Sequence, residues 1–287
     1  MNGILIVNKP KDFTSRDVVN KITKILHTKK VGHTGTLDPI ASGVLIICIG
    51  KYTTLCDILT SKYKEYIATI KLGTKTDTLD ITGNVIEEKE YNVNEQQIIE
   101  VLNSFKGNSI QTVPIYSAVK VNGKKLYEYA REGKEVELPK REIDIKEIEL
   151  LSFNNDEIVF KTTVSKGTYI RALIDDICTK LNTVGTMSDL IRTKQGKFKI
   201  EDSITLEDIE NNKYKLLPIE EVIDDIEILD INEDIYKKVL NGAIIKKEFK
   251  NDIACLRYNN KIIAIYKTYD KDNTLSKPYK MFVNNNE

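Results

Sequence analysis

His33 and Asp38 stand inside residues 31–43, a stretch that also carries Gly32, Gly35, Gly43 and the pair Asp38-Pro39. Glycines let the backbone turn tightly, and a residue before proline is pushed toward extended geometry, which restricts where the Asp38 carboxylate points. Polar side chains thus converge on a closely specified backbone, as in a site rather than a linker. The chemistry open to such a site is that of side chains alone. Neither Gly50-Lys51 nor Gly133-Lys134 is followed by Ser or Thr, and neither has a glycine five positions earlier, so no phosphate loop is present. No G-x-G-x-x-G follows a strand, which leaves a dinucleotide fold unsupported. His27 and His33 are the only histidines, and no carboxylates cluster near either. No cofactor and no metal is therefore expected. Each residue alone also has a plainer reading: Asp38-Pro39 as a turn, His33 as a structural histidine, the glycines as turn formers.

Several elements must position these residues. Residues 3–7 read as a short buried strand ended by Lys9-Pro10. Ser15 is a suitable cap for a helix whose apolar positions are Val18, Val19, Ile22, Ile25 and Leu26. Residues 44–49 are continuously apolar, as in a strand covered on both faces. Residues 63–72 alternate, with Tyr66, Ala68, Ile70 and Leu72 on one side, which predicts a half-buried antiparallel strand. Asn94 caps a helix reaching Phe105, and residues 143–151 and 157–164 read as strands. Thr168 is placed to cap a further helix with Ile170, Leu173, Ile174, Ile177 and Leu181 inward. Arg171 falls in its first turn, where a cation opposes the helix dipole at a cost of a few tenths of a kcal/mol, so it is placed for another partner. Residues 120–141 are polar, with charges that nearly cancel, and form an excursion from the core that orders on contact.

The 287 residues are 41% hydrophobic and formally neutral, enough to bury a sizeable core. Neutrality hides a segregated pattern, since residues 1–80 and 161–200 each carry a basic excess of roughly five. Residues 201–235 are acidic, and the chain turns basic again from Lys237. Such segregation permits a nucleic-acid-facing surface on a neutral protein. Cys48, Cys56, Cys178 and Cys255 are widely spaced, which indicates reduced thiols in a cytoplasmic protein. No membrane span and no signal peptide is expected. The acidic stretch 220–234 is the best domain boundary. Beyond it, residues 235–240 read as a helix ended by Asn241-Gly242. Two strands follow, joined by Asn259-Asn260 as a hairpin turn.

Five ordered motifs carry a family resemblance. Gly32-His33-Thr34-Gly35-Thr36-Leu37-Asp38-Pro39 with Ala41, Gly43 and Leu45, the upstream Lys9-Pro10, Lys64-x-Tyr66, Leu72-Gly73 with Thr76-Asp77, and residues 166–171 resemble the TruB family of tRNA pseudouridine synthases. The resemblance implies an α+β fold built on a mixed, largely antiparallel sheet flanked by helices, in residues 1–225. A small β-rich PUA-like RNA-binding domain would occupy residues 226–287. It also implies isomerisation of a T-loop uridine of tRNA, position 55, to pseudouridine after base flipping, a reaction that conserves all atoms.

By matching position, the resemblance makes Asp38 the nucleophile, a role open to a side chain that is anionic at neutral pH. Arg171 would pair with it, and Tyr66 would stack on the target base and take part in proton transfer at C5. His33 would hold displaced nucleotides and Leu190 line the pocket, with Lys9 and Tyr169 in support. Residues 120–141 would clamp the T arm, and the protein would act as a monomer. A non-catalytic RNA-binding protein would not need Asp38 and Arg171. A guide-RNA-dependent relative working inside a larger particle lacks the clamp, so residues 120–141 speak against it. One departure stands out: Lys9-Pro10 is followed by Lys11 and Asp12 where the family usually has glycine at the second position, which puts the local turn in doubt.

Overall fold

The computed structural model describes residues 1–60, 62–223 and 226–283. Its main sheet contains β1 (Gly3–Lys9), β2 (Val31–His33), β3 (Ser42–Ile49), β4 (Tyr63–Leu72), β5 (Gly107–Thr112), β6 (Lys140–Asn154), β7 (Glu157–Ser165) and β8 (Gly185–Gln195). The spatial order is β1-β3-β8-β4-β7-β6-β5, with β2 beside β3 and residues 198–199 beside β8. All these pairings are antiparallel except β3 with β8, so the sheet is mixed and largely antiparallel as expected.

Covering both faces explains why residues 44–49 are apolar throughout. Val44, Ile46 and Cys48 face one core cluster, and Leu45, Ile47 and Ile49 face another with Val18, Val19 and Ile22 of helix α1 (Ser15–Ile25). In β4 the expected period of two is observed, and Tyr66, Ala68, Ile70 and Leu72 join the cluster under α2 (Glu95–Asn103) and α4 (Ile170–Lys180). Asn94 caps α2 in a reciprocal box with Gln97.

Two caps differ from expectation. Thr14, not Ser15, caps α1: its hydroxyl accepts from the Asp17 amide at 3.0 Å, while Asp17 accepts from the Thr14 amide at 2.9 Å. The reciprocal box outcompetes a lone serine and leaves Ser15 inward, 2% exposed. At α4 the cap position is Tyr169 rather than Thr168, and Gln111 on the neighbouring edge strand accepts from the Tyr169 amide at 2.8 Å. A distant side chain thus satisfies the helix start.

The turn at Asp12 keeps its geometry. Asp12 adopts φ 64°, the left-handed conformation that glycine favours and aspartate tolerates, and its amide donates to Pro39 O at 2.9 Å.

Residues 120–141 hold a two-residue β-ribbon and the short helix α3 (Leu126–Arg131). Leu126 is fully buried, and the Leu126 and Tyr127 amides donate to Val119 O and Ser117 O. The excursion is therefore anchored to the segment leading out of the core.

A second sheet comprises β9 (Glu227–Asp230), β10 (Ile245–Lys246), β11 (Ile253–Tyr258), β12 (Lys261–Tyr269) and β13 (Asp272–Met281) in the order β9-β11-β12-β13-β10. Helix α5 (Glu233–Leu240) begins at Asn232, and Asn259 and Asn260 both take positive φ in the β11–β12 turn. Residue 225, the expected domain boundary, lies outside the described residues. Cys255, Ile262, Ile265 and Phe282 share one core cluster with Ile4, Ile46, Ile219 and Val222, and Glu220 accepts from the Ile262 amide at 2.5 Å. The second sheet is thus packed on the back of the first.

Candidate active site

The loop between β2 and β3 is fastened at both ends. At its start, Gln195 donates to the Thr34 hydroxyl at 2.6 Å, Thr60 donates to Thr34 O at 3.0 Å, and Arg192 donates to Gly35 O at 3.1 Å. Further along, the Ser15 hydroxyl accepts from the Leu37 amide at 2.9 Å. Lys9 donates to Pro39 O at 3.2 Å, as well as to Pro10 O and Phe13 O. The residues before and after Asp38 are therefore held, while the Asp38 side chain itself stays 33% exposed. Gly43 takes φ 106°, and a Cβ there would lie 2.3 Å from Arg192 O. Close approach of protein backbone from β8, not of a ligand, requires that glycine.

Arg171 meets Asp38 as a fork. Its Nε donates to Oδ2 at 3.0 Å and its Nη2 to Oδ1 at 3.2 Å. The guanidinium is 6% exposed and also donates to Thr78 O at 2.7 Å and Tyr116 O at 2.9 Å, with Asp80 Oδ2 3.7 Å away. This planar pairing fixes the carboxylate's orientation as a lysine would not, and it identifies the partner that the unfavourable helix position called for. Asp80 is itself held by Thr78 and Thr82 hydroxyls at 3.0 and 2.5 Å.

Tyr66 and Leu190 lie in one apolar cluster with Leu37, Ile40 and Ala41, so the loop, β4 and β8 meet beside Asp38. Tyr169 is placed through its backbone, bonded at N and O by Gln111. His33 is half-buried, its Nδ1 without a partner, and burial followed by the charges of Arg16 and Arg192 lowers its pKa. Burial is also the main cause pulling the Lys9 ammonium down to about 8, against the opposing pull of Asp38. Asp38, Arg171, Tyr66 and Leu190 are thus assembled; Lys9 braces the loop from behind, and His33 makes no bond to Asp38.

Asp80, Gln111 and Arg192 do not stand out in the sequence, and Ser15 stands out there only as a helix cap, not as a brace of the loop. Asp80 stands three residues after Asp77 in a run that the motifs already touch. Arg192 had no such signal, because β8 is a central strand whose buried Thr186, Arg192 and Gln195 mask its apolar pattern.

With the geometry in place, the kinship of the chain is decisive. The sequence profile of the TruB family pseudouridylate synthase N-terminal domain matches residues 23–170. That of the tRNA pseudouridylate synthase B C-terminal domain matches residues 171–229. The chain belongs to the TruB family of pseudouridylate synthases. It is 43% identical over 301 residues to tRNA pseudouridine synthase B of Bacillus pumilus, covering 98% of this chain and 97% of that one. It is 45% identical over 274 residues to the protein of the same name from Clostridium tetani, covering 92% and 95%. Among solved structures, a Cbf5-Nop10-Gar1 complex contains a chain that superposes with TM-score 0.76 at 27% identity, covering 99% of this chain and 85% of that one. This TruB family member is accordingly an isomerase with the pseudouridine synthase fold.

Proposed function

We propose that this chain isomerises a uridine in the T loop of tRNA, position 55, to pseudouridine, with Asp38 as the nucleophile. The observation that carries the reading is the carboxylate held in a guanidinium fork at 3.0 and 3.2 Å, a third exposed, beside Tyr66 and Leu190. Relatives over 40% identical along nearly the whole chain are named as tRNA-acting, which favours tRNA over a guided substrate.

The target uridine leaves its stack and enters against Tyr66, whose ring receives the base, with Leu190 as the apolar wall. Asp38 supplies the nucleophile that carries the reaction through cleavage of the bond from ribose C1′ to N1. Ribose C1′ is rejoined to C5, the C5 proton departs with Tyr66 in reach, N1 takes up a proton, and the carboxylate is released unchanged. Arg171 aims Asp38, Lys9 and Tyr169 support the pocket walls, and His33, whose pKa is lowered chiefly by burial, holds displaced nucleotides. Residues 120–141 clamp the T arm. In this reading residues 1–225 form the catalytic domain and 226–287 a PUA-like RNA-binding domain of a cytoplasmic monomer.

Release of tritium from C5-labelled uridine in a T-arm stem-loop tests the proposal. Wild type is expected to release it and Asp38→Asn to release none. No release by wild type overturns the activity, and undiminished release by Asp38→Asn overturns the nucleophile.

A further inference from the structure

Lys64 belongs to the motif with Tyr66, yet none of the steps above uses it. The two residues are separated by one position on β4, so both side chains leave the same face of the strand, roughly 7 Å apart. Lys64 is 8% exposed and sits under the Thr34–Gly35 turn, its Cε 3.5 Å from where a Gly35 Cβ would be. Among the described residues its ammonium has neither an ion pair nor a hydrogen bond. Burial first, and the positive charges of Arg192 and Lys166 second, pull it down to about 8. A buried cation surrounded by cations is costly unless something anionic arrives.

A cavity of about 610 Å³ opens at this point, lined by Lys62, Lys64, Lys146, Lys194 and Gln195 among others. Of the two glutamates on its wall, Glu65 is taken by the Thr193 hydroxyl at 2.7 Å and by Lys161 at 3.8 Å. Gln195 is fully buried, and its Oε1 has no partner although its Nε2 is bonded to Thr34. Lys64 and Gln195 thus both line this cavity, with the Lys64 ammonium and the Gln195 Oε1 unpaired among the described residues.

We propose that Lys64 forms a subsite for a backbone phosphate of the RNA, at or next to the nucleotide whose base lies on Tyr66. The assignment rests on the reading of the chain as an RNA isomerase and adds a contact to it. Arg192 cannot serve in its place, because its guanidinium is committed to Val44 O at 2.6 Å and Gly35 O at 3.1 Å. The neighbouring Lys62, Lys146 and Lys194 continue the basic lining outward. A ligand phosphate would supply the counter-charge that the protein withholds, so binding rather than folding draws on Lys64.

The test uses the full chain carrying Asp38→Asn, so that bound RNA is not converted, and a T-arm stem-loop titrated over a range of salt. Adding Lys64→Met is expected to weaken binding about tenfold near physiological salt and to lower the slope of log K against log salt by about 0.7, one single-strand phosphate contact. Lys64→Arg is expected to keep the slope. A Lys64→Met protein with unchanged affinity and slope overturns the subsite. A second arm uses wild-type Lys64 and neutral methylphosphonates placed singly around the target uridine. One position is expected to cost about tenfold in the Lys64 protein and nothing further in Lys64→Met. Equal tolerance at every position overturns the subsite even if the variant folds poorly. Failure of the Asp38→Asn parent to bind the stem-loop at all overturns the RNA reading and the subsite together, whereas binding without the Lys64 effect removes only the subsite.

Discussion

Replacing Arg171 with lysine keeps the charge and removes the fork. The guanidinium now serves four acceptors, the two Asp38 oxygens at 3.0 and 3.2 Å and the carbonyls of Thr78 and Tyr116 at 2.7 and 2.9 Å. A single ammonium cannot reach all four in the plane of the carboxylate. A hydrogen bond to a charged group contributes about 1.5–3 kcal/mol. Because Asp38 is a third exposed, water replaces part of each lost bond and the lower figure applies. Losing both bonds to the carboxylate then costs about 3 kcal/mol of aim, which corresponds to roughly a hundredfold fall in kcat/KM. The assay is tritium release under single-turnover conditions, beside circular dichroism melting to establish that the variant is folded. Arg171→Ala is a harsher change, since it also strips Asp80, 6% exposed, of its cation, and removing one partner of a buried pair costs about 3–5 kcal/mol of stability. The lysine variant separates aim from folding for that reason. A folded Arg171→Lys protein that turns over within threefold of wild type would refute the claim that the fork orients the nucleophile.

Ser15→Ala removes the hydroxyl that holds the Leu37 amide next to Asp38, leaving a buried donor unpaired at about 1–3 kcal/mol. Turnover is expected to fall about tenfold while stem-loop affinity holds; unchanged turnover would mean that Lys9 and Asp12 fix the loop without it. Stability should also depend on pH through Lys64. The folded ammonium gives up its proton near pH 8 and the unfolded one near 10.5, so between these values the unfolded chain binds more protons and stability rises with pH. Urea unfolding of RNA-free wild type and Lys64→Met at pH 7.5, 8.5 and 9.5 should show wild type gaining on the variant as pH rises; a constant difference would place the folded ammonium near its ordinary value.

Period and capping made much of the architecture readable in advance. Residues 44–49 could only be a strand buried on both sides, residues 63–72 only a half-buried one, and Asn94 with Gln97 only a helix start, because each signal is local. β8 escaped such reading, since its polar residues are paid for by partners far away in sequence: Arg192 by Val44 and Gly35, Gln195 by Thr34. The caps at Thr14 and Tyr169 escaped for a related reason. A serine or threonine marks a possible cap, and competition from Asp17 or Gln111 decides which residue takes it.

Sequence by itself determined the family resemblance, the residues expected at the site and the odd placement of Arg171 at a helix start. It did not determine why that placement is tolerated. Only the tertiary structure brings Asp38, Thr78 and Tyr116 from three separate segments to one guanidinium. Only the tertiary structure shows Asp12 taking a glycine's conformation, and Lys64 buried near Arg192 and Lys166 with no partner among the described residues. Local patterns carry propensity and spacing, whereas the balance of a buried charge depends on whichever distant groups the fold places around it.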